Sequence, residues 1–223
     1  MNPGFKEAAR AQLSLLAPLE KRTLMWLAAR LPAWVNSDHL TGLGLLSLLG
    51  AGLSYWYARY DRLGLLLVIG CLIVNWFGDS LDGTLARYRN RQRPRYGFYV
   101  DHVVDMFGTF FLLGGLALSG YMSREVAIGL LVAYFMLNIE VYLATYTIGT
   151  FHISFWKLSP TELRILLCIG NLALLWQPYG NLFGHDFLIF DIGGVIGIAG
   201  LVLMLVLAVV RHTAQLYTEE RLS

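Results

Sequence analysis

The chain has 223 residues, of which 57% are hydrophobic and only 14% charged, and its mean hydropathy is +0.56. A soluble domain carries about 25% charged residues, so this sequence cannot coat a water-facing surface, and its apolar content excludes disorder as well. The net charge of +2 says little by itself; no nucleic-acid partner is expected, and Cys71 and Cys168 both lie inside apolar runs, which excludes a disulfide-stapled secreted fold. What remains is an all-α, integral membrane protein.

Residues 1–38 read as a cytoplasmic, amphipathic juxtamembrane segment. Lys6, Glu7, Arg10, Glu20, Lys21, Arg22 and Arg30 interrupt the leucines and alanines between Phe5 and Leu31, so no signal peptide is expected. Leu13, Leu16, Leu24, Leu27 and Leu31 recur at spacings of three or four around Pro18, which predicts a surface-lying helix, in one piece or two. Residues 39–223 then form the membrane domain.

Six apolar segments follow, each near the roughly 20 residues that a helix needs to span the hydrocarbon core. They are Leu40–Ala58, Leu63–Leu81, Phe98–Gly120, Val126–Ile148, Thr161–Trp176 and Phe187–Val210. Backbone groups cannot stay unpaired in lipid, and these runs are too long for barrel strands, so six transmembrane helices are predicted. Trp56, Tyr57, Tyr121, Trp176 and Tyr179 fall at span ends, where aromatic belts form. Of the 17 Lys and Arg residues, all but Arg59, Arg62 and Arg124 fall on the side of the two termini. That bias places the termini in the cytoplasm.

One region breaks the membrane rules. Asp79, Asp82, Asp101 and Asp105 sit in or beside the second and third spans, although an Asp at mid-membrane costs roughly 2.5–3.5 kcal/mol. Asp79 and Asp82 are three apart and Asp101 and Asp105 four apart, so each pair occupies one helix face. Two antiparallel helices joined by a short Arg-rich loop would bring the pairs together at one depth. Four hard carboxylates suit Mg²⁺ or Mn²⁺ rather than zinc, and their charge can hold two divalent cations. Gly83, Ala86 and Gly97 leave room beside them for a ligand or a neighbouring helix, and Arg87 can neutralise a carboxylate or grip a phosphate.

The string Asp79-x-x-Asp82-Gly83-x-x-Ala86-Arg87, followed by Gly97-x-x-x-Asp101-x-x-x-Asp105, resembles the signature of the CDP-alcohol phosphotransferases, membrane enzymes of phospholipid synthesis. The loop between Arg87 and Gly97 is slightly longer than usual for that signature. Asn36-Ser37-Asp38-His39-Leu40-Thr41 is more weakly similar to the family's segment ahead of the first span. The resemblance implies a six-span homodimer in the inner (cytoplasmic) membrane with its active site on the cytoplasmic side. It implies that Asp79, Asp82 and Asp101 ligate two divalent cations, while Asp105 contacts the metal site and is the general base. Gly83, Ala86 and Arg87 would lie along the CDP moiety, and Gly97 would close the site. The expected reaction moves a substituted phosphate from a CDP-linked donor, CDP-diacylglycerol by preference, to an alcohol acceptor, with release of CMP.

Other residues leave alternatives open. Pro160-Thr161-Glu162 resembles a stretch in the aminoalcohol branch of the family, which would use a CDP-aminoalcohol donor and diacylglycerol as acceptor. Lys157 and Arg164 can receive an anionic acceptor, and Ser159 or Thr161 can cap the fifth span. Glu140, mid-span with Asn138, Tyr142 and Thr145, either shapes the acceptor pocket or pairs with Arg164. The alternating arginines from Arg87 to Arg95 set topology or hold the cytidine diphosphate. A divalent-cation transporter would need acidic groups at several depths, and an inert scaffold would be expected to have lost an aspartate.

Overall fold

The computed structural model describes residues 17–148, 160–182 and 184–221, the side chains of 17–19 excepted. Their helices are α1 (Ala17–Ala28), α2 (Ser37–Ala58), α3 (Leu63–Tyr88), α4 (Pro94–Ser119), α5 (Arg124–Ile148), α6 (Pro160–Trp176) and α7 (Ile189–Glu219). Four of them, α3, α4, α5 and α7, are long and apolar enough to cross a membrane, and the chain is a membrane protein. The part of the N-terminal segment before Ala17 lies outside the described residues, as do Lys157 and Ser159.

The boundaries follow local chemistry. Asn36 caps α2 through a reciprocal pair, its Oδ1 accepting from the His39 N–H at 3.0 Å while its own N–H donates to His39 Nδ1. Pro94, whose missing N–H costs nothing in a first turn, opens α4. Gly120 closes α4 with a left-handed φ of 82°. α3 runs seven residues beyond the expected end at Leu81, because Asp82 to Tyr88 continue the helix past the apolar run. The sixth apolar segment begins differently from expectation. Phe187 and Leu188 belong to a two-stranded antiparallel hairpin, β1 (Tyr179–Leu182) with β2 (His185–Leu188), turned by Gly184 at φ 84°. α7 starts at Ile189 and extends to Glu219.

α2 is the centre of the bundle. α3 and α4 pack on it extensively, α6 lies on α3, and α5 joins α4 to α7. Backbones meet closely along these crossings. A Cβ at Gly115 would lie 2.0 Å from the Gly52 carbonyl oxygen, fixing α4 on α2. A Cβ at Gly78 would lie 2.6 Å from the Leu40 carbonyl oxygen and 2.8 Å from Gly44 N, fixing α3 on α2 one residue before Asp79. The larger core gathers Tyr55, Leu65, Val68, Leu72, Leu116, Leu174 and neighbours. In it the buried Tyr55 hydroxyl accepts a 2.8 Å hydrogen bond from Asn171 of α6. A second, smaller core of Leu24, Ala28, Val35, Leu40, Leu81 and Leu85 holds α1 against α2 and α3, next to the aspartate region.

Candidate active site

α3 carries Asp79, Asp82, Gly83, Ala86 and Arg87 on successive turns, and α4 carries Gly97, Asp101 and Asp105. The two helices pack on α2 more than on each other, and the carboxylates are divided between them. They still form one electrostatic group. The charges of Asp79, Asp101 and Asp82 all act on Asp105, and those of Asp101 and Asp79 act on Asp82.

Each α3 aspartate has a defined partner. Asp82 is buried, and its Oδ2 accepts from the Thr41 hydroxyl at 2.6 Å while its Oδ1 lies 2.5 Å from the Gly83 N–H. Ser37 donates to the Asp82 carbonyl at 2.9 Å. Asp79 Oδ2 lies 2.5 Å from an Arg164 guanidinium nitrogen, and Arg164 Nε donates to Asn75 Oδ1 at 2.7 Å. Asn75, one turn before Asp79, also donates to the Gly44 carbonyl at 3.0 Å. The same polar ladder that fixes the α2–α3 crossing therefore aims Arg164 at the cluster.

The remaining predicted site residues have looser surroundings. Arg87 is exposed and folds back on α3, with a 3.3 Å hydrogen bond to Thr84 Oγ1 and its guanidinium 3.4 Å from where a Gly83 Cβ would stand. A Cβ on Gly97 would meet nothing within 4 Å. Ala86 lines a cavity of about 350 Å³ with Asn36, Asp38, Arg91 and Arg93. Arg93 pairs with Asp38 across that cavity's rim. Arg89, by contrast, donates to the carbonyls of Leu31, Pro32 and Val35 and ties down the α1–α2 linker.

Two sequence expectations are corrected here. Glu140 does not pair with Arg164; its Oε1 lies 2.6 Å from His212 Nδ1 on α7, while Arg164 turns to Asp79. Tyr142 meets the His102 ring of α4 edge-on at 5.5 Å, and Asp105 acts electrostatically on both Tyr134 and Tyr142. Thr161 does not cap the helix, because α6 already begins at Pro160; its hydroxyl donates to Glu20 of α1 at 2.7 Å. Sequence reasoning missed Thr41, Asn75 and Glu20 as partners of this region. Asn75 was within reach of it, lying four residues before Asp79 on the same face.

The donor set suits a hard divalent cation in kind, since four carboxylates of two helices act on one another. Their oxygens do not converge fully: among the described residues no three His, Cys, Asp or Glu side chains close into a metal-holding group.

The bundle thus sets an acidic cluster near an arginine-lined cavity within a membrane protein. The sequence pattern of one family, described as CDP-alcohol phosphatidyltransferase, matches residues 34–212, from the α1–α2 linker to the last turns of α7. The chain belongs to the CDP-alcohol phosphatidyltransferase family. It is therefore a phosphotransferase of phospholipid biosynthesis, of a kind that moves a phosphatidyl group from a CDP-alcohol to an alcohol and generally depends on a divalent cation.

Proposed function

We propose that the chain transfers a substituted phosphate from CDP-diacylglycerol to a small polar alcohol and releases CMP, at a site built on Asp79, Asp82, Asp101 and Asp105. The observation that carries this reading is the placement of Asp79 and Asp82 on α3 and of Asp101 and Asp105 on α4 within one bundle, in a chain whose residues 34–212 match the family. They would hold two cations, Mg²⁺ or Mn²⁺, which when bound supply charge neutralisation at the pyrophosphate. Asp105, exposed on α4, accepts the proton of the acceptor hydroxyl. Gly83, Ala86 and Arg87 lie along the CDP moiety, and Gly97 leaves its side open. The 350 Å³ cavity suits a nucleoside diphosphate, with Arg91 and Arg93 available to its phosphates.

A second depression supports a lipid substrate. It holds about 290 Å³ between α1, α3 and α6, with an apolar wall of Leu72, Ile73, Trp76, Ile165 and Cys168, and Arg164 stands at its edge. An acyl chain fits that wall. The Arg164 NH1 group is buried without a hydrogen-bond partner among the described residues, a donor suited to an oxygen of the reacting lipid or acceptor. A CDP-aminoalcohol donor with diacylglycerol as acceptor is the second reading, favoured by Pro160-Thr161-Glu162 at the head of α6.

In the membrane the six helices α2 to α7 would all span, with both termini and the aspartates on the cytoplasmic side of the inner membrane and α1 along its surface. Trp26 and Trp34, 54% and 75% exposed, suit that surface position. The enzyme would work as a homodimer. The test of the reaction is CMP release by purified protein with Mg²⁺ or Mn²⁺ and a panel of alcohols. CDP-diacylglycerol and CDP-choline would serve as alternative donors. Turnover with the first supports the main reading, turnover with the second the other, and none with either rejects both.

A further inference from the structure

Glu20 is a buried carboxylate on a helix that otherwise lies at the edge of the bundle. Burying such a group is costly unless hydrogen bonds replace the lost water. Its Oε1 accepts from the Trp76 indole N–H at 3.0 Å, from the Thr161 hydroxyl at 2.7 Å and from the Ser80 hydroxyl at 3.4 Å. Trp76 and Ser80 belong to α3, and Thr161 to α6.

The positions of these donors are informative. Trp76 follows Asn75 and Ser80 follows Asp79, the two residues that Arg164 holds. Thr161 lies three residues before Arg164, on the same face of α6. The α3–α6 junction is therefore laced twice: once from α1, through Glu20, and once within the site, through Arg164. Glu20 also lines the apolar depression that Arg164 borders.

We infer that Glu20 is a positioning residue, which holds the first turn of α6 so that Arg164 meets Asp79 and Asn75. The amphipathic α1 is then a working part of the site as well as a contact with the membrane surface. This rests on the proposed phosphotransfer site only for its catalytic consequence; the lacing of α1 to α6 is independent of it.

The experiment uses the full chain in lipid nanodiscs and compares Glu20→Ala, Glu20→Gln and Thr161→Val with wild type. Hydrogen exchange reports the amides of α6 from Thr161 to Ile165. CMP release with Mn²⁺, CDP-diacylglycerol and a range of alcohols reports kcat and the donor KM. Glu20→Ala is expected to accelerate exchange in that turn and to lower kcat by about 10- to 100-fold, as a misplacement of around 1 Å can, with the donor KM nearly unchanged. Glu20→Gln keeps an accepting oxygen and is expected to restore both readouts to near wild type. Thr161→Val removes one donor and should fall between, which keeps the test open if Glu20→Ala fails to fold. Unchanged exchange in α6 for both Glu20→Ala and Thr161→Val would overturn the inference whatever the activity. Altered exchange in a protein that is inert with every donor would uphold the lacing and reject the reaction instead.

Discussion

Substituting Gly78 by alanine tests how the fold places Asp79. The added Cβ would stand 2.6 Å from the Leu40 carbonyl oxygen, against the 3.4 Å at which ordinary contact begins, so α3 and α2 must separate by the difference of 0.8 Å. Both obstructing atoms nearest the new carbon, Leu40 O and Gly44 N, are backbone, so no rotamer change relieves the overlap. Overpacking of this kind costs about 1–3 kcal/mol, offset by nearly 1 kcal/mol of helix propensity gained on replacing glycine. The separation also stretches the 3.0 Å hydrogen bond from Asn75 to Gly44, and with it the residue that braces Arg164. Gly42 and Gly70 are the controls, because they lie on the same two helices and a Cβ there would meet nothing within 4 Å. Thermal unfolding in detergent and CMP release together measure the effect. Gly78→Ala should be less stable than either control and roughly 10- to 100-fold slower, whereas Gly42→Ala and Gly70→Ala should match or exceed wild type in stability. A Gly78→Ala protein as stable and active as the controls would refute the claim that this crossing sets the position of Asp79.

Other expectations follow from single contacts. Asp105→Asn should abolish turnover while leaving CDP-donor binding, measured by titration calorimetry, largely intact; retained turnover would remove Asp105 from the role of base. Arg164→Ala should cost roughly 1–3 kcal/mol of stability, since the Arg164 side chain is 15% exposed and its Asp79 partner 36%, and thermal unfolding measures it. Turnover should fall with it, and a neutral effect on both would show that the bridge to Asp79 carries nothing. Tyr55→Phe removes the acceptor of the Asn171 hydrogen bond and should lower stability by about 1–2 kcal/mol. Tyr55 lies fourteen residues from Thr41 along α2, about 21 Å at helical rise, so its CMP-release rate should stay at the wild-type value.

How much of this was legible in the sequence depended on the range of the interaction. Hydropathy located all six long helices, because a run such as Leu63–Leu81 can satisfy its backbone in lipid only as a helix. It misplaced ends wherever polar residues continue a helix beyond the apolar run, as at Tyr88 in α3 and Glu219 in α7. The hairpin at Tyr179–Leu188 was not foreseen, and its last two residues, Phe187 and Leu188, were read into the sixth apolar segment, since strands of four residues leave too short a pattern to recognise. The aspartate pairs were recoverable from spacing alone because an i, i+3 or i, i+4 relation fixes a shared face. Their partners were not. Glu140 with His212, and Arg164 with Asp79, join helices 72 and 85 residues apart in sequence, and local periodicity carries no information about which faces tertiary packing brings together. The packing of both α3 and α4 on α2 escaped for the same reason: nothing in the loop sequence specifies it.

The central claim is that the four carboxylates of α3 and α4 act as one metal-holding site for a CDP-linked donor. Anomalous scattering from crystals grown with Mn²⁺ and CDP tests it most directly. The account predicts two anomalous peaks about 3.5–4 Å apart, within ligand distance of Asp79, Asp82, Asp101 and Asp105, with the CDP phosphates beside them. Well-ordered Mn²⁺ bound elsewhere, with those four side chains unligated and CDP remote from them, would contradict it.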